Sequence, residues 1–387
     1  MIELETKIKN MGAYEIHFRD CFAKEKDGEH GLSHLVEHCM CEQVKQFENK
    51  MKEYSINWNA YTTSDEIVFY ISGIDKYLRK FIDKFTKAIL SYNITPEVFE
   101  RERNIVIAEY KQSFNDEASR FYINFHRKHY NYTGVIGSLG DLEKITYKDF
   151  LQFKKKIIKK VSVIYYMHPK TKKKFEYVYE VKKLAEESGL EKKNLDLTFS
   201  ETGYDKYKME YFNSGISEER NLMIFGRFTN KDKAERYKNV ALTKVLINYL
   251  TNGLTSYLYQ EIREKLACVY SIHGSQNVFE NESNVEFYLS TSNDNEEKVV
   301  KKIKSSLGKL MKRLSKRKFN IALKNIMTGT IVQDSLNWSS PEFLVDEQYL
   351  EIKKMFKEKK ITFEDFKAFV EQFVNNYKIY SDKDYIS

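Results

Sequence analysis

The chain has 387 residues, of which 42% are hydrophobic and 31% charged. That is long enough for two or three domains with their own cores, and too apolar for a disordered chain. The 64 basic and 56 acidic residues leave a mild formal charge of +8, and four cysteines are too few for a disulfide framework in a chain this long.

The first elements carry the most chemistry. A strand is expected at 14–18. After Gly28 and Gly31, which permit a sharp entry, comes His34-Leu35-Val36-Glu37-His38. This is H-x-x-E-H, the inverted zinc-peptidase signature. Leu32, Leu35, Val36, Cys39, Met40, Phe47 and Met51 recur at three- and four-residue steps, which predicts a helix with one buried stripe. On a helix His34 and His38 share a face and can offer two imidazoles to one metal. Glu37 then lies beside the metal, where a general base for a zinc-bound water belongs. An amphipathic helix with two incidental histidines would give the same spacing, so the rest of the set matters.

Strands are expected at 58–61 and 67–73, and helices at 77–90 and 96–114. Thr95 as N-cap and Pro96 at the first helical position mark the start of the last helix. It carries Glu97, Glu100, Glu102 and Glu109. A catalytic zinc needs a third protein ligand. Glu102 and Glu109 lie seven apart on one face, so one can bind metal and the other orient a ligand. A charged solvent face is the alternative for any single one of them. A helix at 147–158 and a strand at 161–167 follow. Polar residues between 190 and 207 break the periodic structure and divide the chain into 1–195 and 205–387. The second half runs a strand at 222–228, helices at 234–250 and 256–265, strands at 269–273 and 285–290, then further helices. Strands and helices group rather than alternate. The fold class is therefore α+β, with two similar halves, each a mostly antiparallel sheet packed with helices.

Other candidates are weaker. His30 lies four before His34 and could face the same metal, but Gly31 makes it a loop residue. Cys39 falls on the apolar stripe and reads as packing; Cys41 is undecided. His126 and His129, three apart, read as structural. The basic cluster of Lys154, Lys155, Lys156, Lys159, Lys160, Lys172, Lys173 and Lys174 reads as solvated surface, so no nucleic acid is expected. The first residues hold no apolar leader segment and no stretch approaches a membrane span. The expectation is a reduced, cytoplasmic protein.

Four blocks of sequence resemble the pitrilysin family of zinc metallopeptidases, which includes insulysin and the mitochondrial processing peptidase. They are Gly31 through His38; Asn59-Ala60-Tyr61-Thr62; Arg101-Glu102 leading to Glu109; and Gly253 through Ser256 with Arg263 through Tyr270. His129 and Gly137 fit a further family loop. The resemblance implies zinc on His34, His38 and Glu109, Glu37 as base and Glu102 as a supporting carboxylate. It implies that Asn59, Ala60 and Tyr61 line a strand edge that pairs with an extended peptide. It implies that Arg263 holds substrate carbonyls and Tyr270 donates to the oxyanion. Long family members have four such domains, so a two-half chain is expected to act as a homodimer, or with a related partner chain, around a closed chamber. Departures are the residues after the motif, Cys39-Met40-Cys41-Glu42-Gln43, together with Tyr257 and Ala267. Ala267 stands where the family has Gly. The implied activity is a zinc endopeptidase on peptides or unfolded segments, general or dedicated to one leader peptide. A silent scaffold of the same family is the competing class.

Overall fold

Two sheets that share one antiparallel strand path organise the described residues. The computed structural model describes residues 2–6, 10–21, 24–90, 93–130, 132, 134–159, 163–169, 219–336 and 346–385. These fall into two compact units. One takes the described residues within Met1–Ser113, Tyr132–Leu195 and Asp334–Asp346; the other those within Phe114–Asn131, Asp196–Gln333 and Glu347–Ser387.

The first unit is built on strands β1 (Ile2–Thr6), β2 (Met11–Arg19), β3 (Asn57–Thr62), β4 (Glu66–Ile74) and β5 (Val163–Pro169). They form a five-stranded sheet in the order β1-β5-β2-β4-β3. All pairs are antiparallel except the edge pair β1·β5. One face of β2 sends Tyr14, Ile16 and Phe18 into the core. The Tyr14 hydroxyl is hydrogen-bonded to the Thr86 hydroxyl (2.7 Å) on the helix Ile82–Leu90. Phe18 meets Phe69 of β4 edge to face. The opposite face, with Ala13, Glu15 and His17, is buried as well, so β2 is covered on both sides.

The second unit uses β6 (Glu219–Thr229), β7 (Val269–Val278), β8 (Glu282–Ser292) and β9 (Lys378–Ser381). Their order is β7-β8-β6-β9, all antiparallel. The order β3-β4-β2-β5 of the first unit is the same path. In each unit a strand leads through helix to an edge strand and then to the strand between them. The layout repeat expected from the sequence is thus a repeat of topology. The helices Lys233–Thr251, Glu296–Arg313 and Phe363–Asn376 bury Leu246, Val245, Ile303, Leu307 and Phe366 against this second sheet. Among the described residues no helix is long and apolar enough to cross a membrane.

Several expectations need correction. The stripe from Leu32 to Met51 is not one helix. The motif helix ends at Lys45, Phe47 sits between helices with φ −130°, and Met51 belongs to Glu48–Glu53, although both Phe47 and Met51 are buried. The helix expected at 77–90 is two, Asp75–Leu78 and Ile82–Leu90, joined through three-residue turn hydrogen bonds at Lys80 and Phe81. Helix Glu117–Tyr130 and strands β1 and β9 were not anticipated. That helix also prevents a single cut of the chain into 1–195 and 205–387. It groups with the second unit, where Phe125 packs on Phe225 and Tyr130 donates to Glu286. The break at 190–207 itself lies outside the described residues.

Ala267 enters β7 with φ +53°, the left-handed region that glycine adopts without cost. The chain therefore carries the strain of this turn in a methyl group. Relief of that strain, about 1–2 kcal/mol, exceeds the roughly 0.4–1 kcal/mol of extra unfolded-chain entropy a glycine brings. Ala267→Gly is expected to stabilise the protein by about 0.5–1 kcal/mol, measured by urea unfolding.

His17 makes stability pH-dependent. It is fully buried on β2, with Nδ1 3.0 Å from Glu66 Oε2 and Nε2 3.0 Å from Glu15 Oε2. Burial pulls its pKa down, but the two carboxylates pull harder and raise it to about 9. A raised histidine pKa adds stability that is full below the unfolded value near 6.5 and is lost as pH rises through the folded one. Stability of the chelated protein should fall by up to ~3 kcal/mol between about pH 6.5 and 9 relative to His17→Gln. Parallel pH profiles for the two proteins in urea unfolding would exclude this.

Candidate metal centre

The motif helix, Leu32–Lys45, is fixed at its N-terminus by groups remote in kind from the motif. Gly31 caps it with φ +99°, and a Cβ there would meet the Ile136 carbonyl oxygen at 2.6 Å. Gly137 is tighter still, since its Cβ would meet the His30 carbonyl oxygen at 2.1 Å. Two glycines thus let the 136–137 backbone lie against the helix entry. The Glu25 carboxylate accepts from the backbone N–H of Gly31 (3.1 Å) and of Ser33 (2.6 Å). It satisfies orphan donors and sits at the positive end of the helix dipole. Leu32, Leu35, Val36, Cys39 and Met40 are completely buried on the core side.

His34 and His38 leave the other side of the helix with ring centroids 4.6 Å apart. The helix Pro96–Asn115 meets them with Glu109. Glu109 Oε2 lies 3.2 Å from His34 Nε2 and 3.6 Å from His38 Nε2. One ligand atom from each of the three residues falls within 4.8 Å of the others, the one such group of His, Cys, Asp or Glu found among the described residues. A tetrahedral ion with bonds of about 2.1 Å places its donors about 3.4 Å apart, so these separations fit zinc. The donor set, two imidazoles and a carboxylate, is that of a catalytic zinc site with an open fourth position.

The electrostatics point the same way. Burial lowers the His34 pKa, yet Glu109 and Glu37 outweigh it and raise it to about 9. The hydrogen bond with His34 in turn holds Glu109 below the usual carboxylate range. The surroundings thus favour positive charge where the donors converge.

Glu102 lies outside the group that His34, His38 and Glu109 form. It is 2% exposed, with Oε2 3.5 Å from His38 Nδ1, the nitrogen turned away from Glu109. Its Oε1 accepts from Arg101 Nε at 3.1 Å. This is the carboxylate–histidine arrangement that orients a metal ligand. Glu37 stands outside the donor set. Its Oε2 is 3.5 Å from His34 Nδ1 and accepts the Thr62 hydroxyl at 2.6 Å. Sequence reasoning gave Thr62 no role beyond its place in the Asn59-Ala60-Tyr61-Thr62 block, and it missed Glu25, whose spacing to the helix marks no motif.

The weaker candidates resolve. His30 is buried, with Nδ1 3.8 Å from Glu25, and is not part of the donor group. Neither Cys39 nor Cys41 joins it. His126 has a carboxylate beside it: Nε2 is 3.2 Å from the buried Glu286. His129 meets the Tyr385 hydroxyl at 2.8 Å. Both belong to a polar network in the second unit rather than to a metal group.

Asn59, Ala60 and Tyr61 lie on β3, the terminal strand of its sheet. Asn59 and Tyr61 are exposed, and Asn59 Oδ1 accepts the Ala60 N–H at 2.9 Å. Arg263 and Tyr270 lie in the second unit. Arg263 is carried by a π-helical turn, Tyr259–Glu264, and its guanidinium stacks over Tyr270 at 5.4 Å. Tyr270 is 82% exposed. Both line a concavity of about 600 Å³ that Asn295 and Ala267 complete. The turn is fastened by Glu261, which accepts from Lys265, Lys302 and Arg313. Burial opposes its ionisation, but these cations lower its pKa to about 2. Single π-helical turns of this kind are often found where a side chain is re-aimed at a functional site.

Comparison with known proteins places this geometry. The family model described as Insulinase (Peptidase family M16) matches residues 23–140, which hold the donor group, Glu37 and Glu102. The model described as Peptidase M16 inactive domain matches 139–326, which hold Arg263 and Tyr270. A Rickettsia felis protein described as an uncharacterized zinc protease is 20% identical over 333 residues, covering 82% of this chain and 77% of its own length. The solved structure of a Helicobacter pylori protease superposes with TM-score 0.72 at 16% identity, over 98% of this chain and 96% of that one. A Pseudomonas fluorescens structure described as a peptidase M16 inactive domain gives TM-score 0.72 at 13% identity, over 98% and 94%. Two domain models in family order, joined to one shared fold, establish that the chain belongs to peptidase family M16, the pitrilysin type.

Proposed function

We propose that the chain is a zinc-dependent endopeptidase acting on peptides or unfolded segments. The observation that carries this reading is the convergence of His34, His38 and Glu109, with Glu37 beside them and Glu102 behind His38. When bound, zinc polarises the scissile carbonyl and brings the pKa of a water toward roughly 7. Glu37 takes the proton of the attacking water and returns it to the leaving amine. Strand β3 docks an extended substrate by strand addition, with incoming backbone groups at Asn59, Ala60 and Tyr61. An incoming carbonyl then replaces Asn59 as acceptor for the Ala60 N–H.

Arg263 holds a substrate carbonyl and Tyr270 donates to the developing oxyanion. In this proposal a second copy, or a related partner chain, supplies these two residues over the metal set, enclosing a chamber that excludes folded proteins. The exposure of Tyr270 at 82% supports that role. Cytoplasmic placement belongs to the same proposal, supported by four cysteines that form no disulfide. Whether substrates are general or a single leader peptide is set by a peptide-library cleavage profile. A silent scaffold would have lost a ligand, the base, or the Arg-Tyr pair, and all are present here.

The purified protein should carry about one zinc per chain. His38→Ala and Glu109→Gln should each lose most of it. Glu102→Gln should retain it with affinity weakened by roughly 10- to 100-fold. Zinc titration with a chelating dye measures all three, and full occupancy in His38→Ala would remove the assignment. Glu37→Gln should keep its zinc but cleave peptides at least ~100-fold more slowly.

Mixing tests the shared site. Glu37→Gln and Tyr270→Phe are each expected to be inactive alone. After subunit exchange, a mixed dimer has one centre with both Glu37 and Tyr270 intact, and activity should return. Demonstrated exchange without recovery would sink the shared-site proposal and leave the metal chemistry standing.

A further inference from the structure

Thr62 ties the docking strand to the base. It is the last residue of β3, three beyond Asn59. Along β3 exposure alternates, with Asn57, Asn59 and Tyr61 outward and Trp58, Ala60 and Thr62 on the less exposed face. The Thr62 hydroxyl donates to Glu37 Oε2 at 2.6 Å across 25 residues of sequence. The His34 Nδ1 contact, 3.5 Å, falls on the same oxygen. The other oxygen, Oε1, makes no hydrogen bond to a protein group among the described residues.

The hydroxyl is itself held rigidly. Thr62 pairs with Ile67 of β4. The next residue closes the turn: Thr63 N–H donates to the Glu66 carbonyl at 2.8 Å, and Thr63 Oγ1 accepts from the backbone N–H of Asp65 (3.2 Å) and Glu66 (3.1 Å). A β-branched side chain at such a position has few rotamers. Glu37, with three side-chain torsions, has many, and one fixed donor on Oε2 removes most of that freedom.

We propose that Thr62 is a positioning residue. It holds Glu37 by Oε2 so that Oε1 is the oxygen presented to the reacting water. Because one strand carries both the peptide-docking edge and this hydroxyl, displacement of β3 by a badly paired peptide also displaces the base. Alignment of the substrate backbone is thereby read in turnover as well as in binding. The proposal rests on Glu37 acting as the base of a peptidase.

The bland alternative is that Thr62 merely fastens β3 to the motif helix. Thr62→Val removes the hydroxyl and keeps the branched shape; Thr62→Ser keeps the hydroxyl. The expected result for Thr62→Val is a kcat lower by roughly 10- to 100-fold, the range for losing a hydrogen bond to a charged group. KM should stay within about twofold, with zinc content unchanged, and Thr62→Ser should recover most of kcat. A second arm needs no activity. In chelated protein, the urea midpoints of Thr62→Val, Glu37→Ala and the double variant form a cycle. The double variant should shift less than the sum of the two single shifts. Additive shifts, an unchanged kcat, or a parallel loss of kcat, zinc and stability would overturn the proposal. Zinc-loaded wild type without peptidase activity would defeat the peptidase reading and this proposal together. The cycle would then still report whether Thr62 holds Glu37, so the two failures are distinguishable.

Discussion

The contact of one carboxylate with two imidazoles governs the first unit. Glu109 comes from one helix and His34 and His38 from another, and their donor atoms meet at 3.2 and 3.6 Å. That convergence needs two helices held to within fractions of an ångström of a common point. The buried side of the motif helix, from Leu32 to Met40, supplies the non-directional packing. Direction comes from polar and steric detail: the Glu25 cap, the close approach at Gly31 and Gly137, and the Glu102 carboxylate behind His38. On the carboxylate helix, Phe99, Val106 and Tyr110 are fully buried, so Glu109 lies beside core residues that fix its rotation. A one-residue slip of either helix would turn its ligands through about 100° and dismantle the set.

Duplication of topology explains why chemistry is concentrated in one unit. The strand orders β3-β4-β2-β5 and β7-β8-β6-β9 are the same antiparallel path. The helix Lys233–Thr251 occupies, in element order, the place of the motif helix, and its sequence holds no histidine. A fold of this kind needs only an apolar stripe there, which Val240, Val245, Leu246 and Leu250 provide. Freed from metal ligation, the second unit can carry other groups at its own edge strand. Arg263 and Tyr270 are such groups, brought together by the π-helical turn and by the start of β7. The region 139–326 that matches a model described as an inactive domain contains both Arg263 and Tyr270.

What could be read in advance follows from the range of the forces involved. Helical period, the Thr95-Pro96 start and the H-x-x-E-H spacing are local, and each predicted its element within a few residues. The α+β class and the repeat of layout also rest on local patterns summed along the chain. The assignment of Glu109 over Glu102 as ligand needed the structure, because spacing places both on one face and only depth separates them. Glu102 is 2% exposed, whereas the Glu109 side chain is 42% exposed at the mouth of the site. Thr62, Glu25 and the helix Glu117–Tyr130 act through partners distant in sequence, or through geometry that no spacing encodes. The false continuity from Leu32 to Met51 has the converse cause. Two helices on one core share an apolar stripe, and periodicity does not register the turn between them.

The charge balance around the two imidazoles bears on the proposed cation site. Glu37 is 8% exposed and Glu102 only 2%, so neither is a solvated surface carboxylate. Unit charges about 4 Å apart near a protein surface interact by about 4 kcal/mol. Negative charge on Glu37, Glu102 and Glu109 around the two imidazoles would be mutually repulsive, and least screened at the buried Glu37 and Glu102. Arg101 offsets part of this at Glu102, and among the described residues no Lys or Arg forms an ion pair with Glu37 or Glu109. A positive charge at the convergence point removes the repulsion directly. The upward shift of His34 is the same demand expressed as proton affinity. Metal and proton then compete for one place, since an imidazole must be neutral to ligate. Thr62 and His34 both engage Oε2 of Glu37 and leave Oε1 without a hydrogen bond among the described residues. A carboxylate adjacent to a cation, yet outside its donor set, is what a base needs in order to stay ionised and still accept a proton.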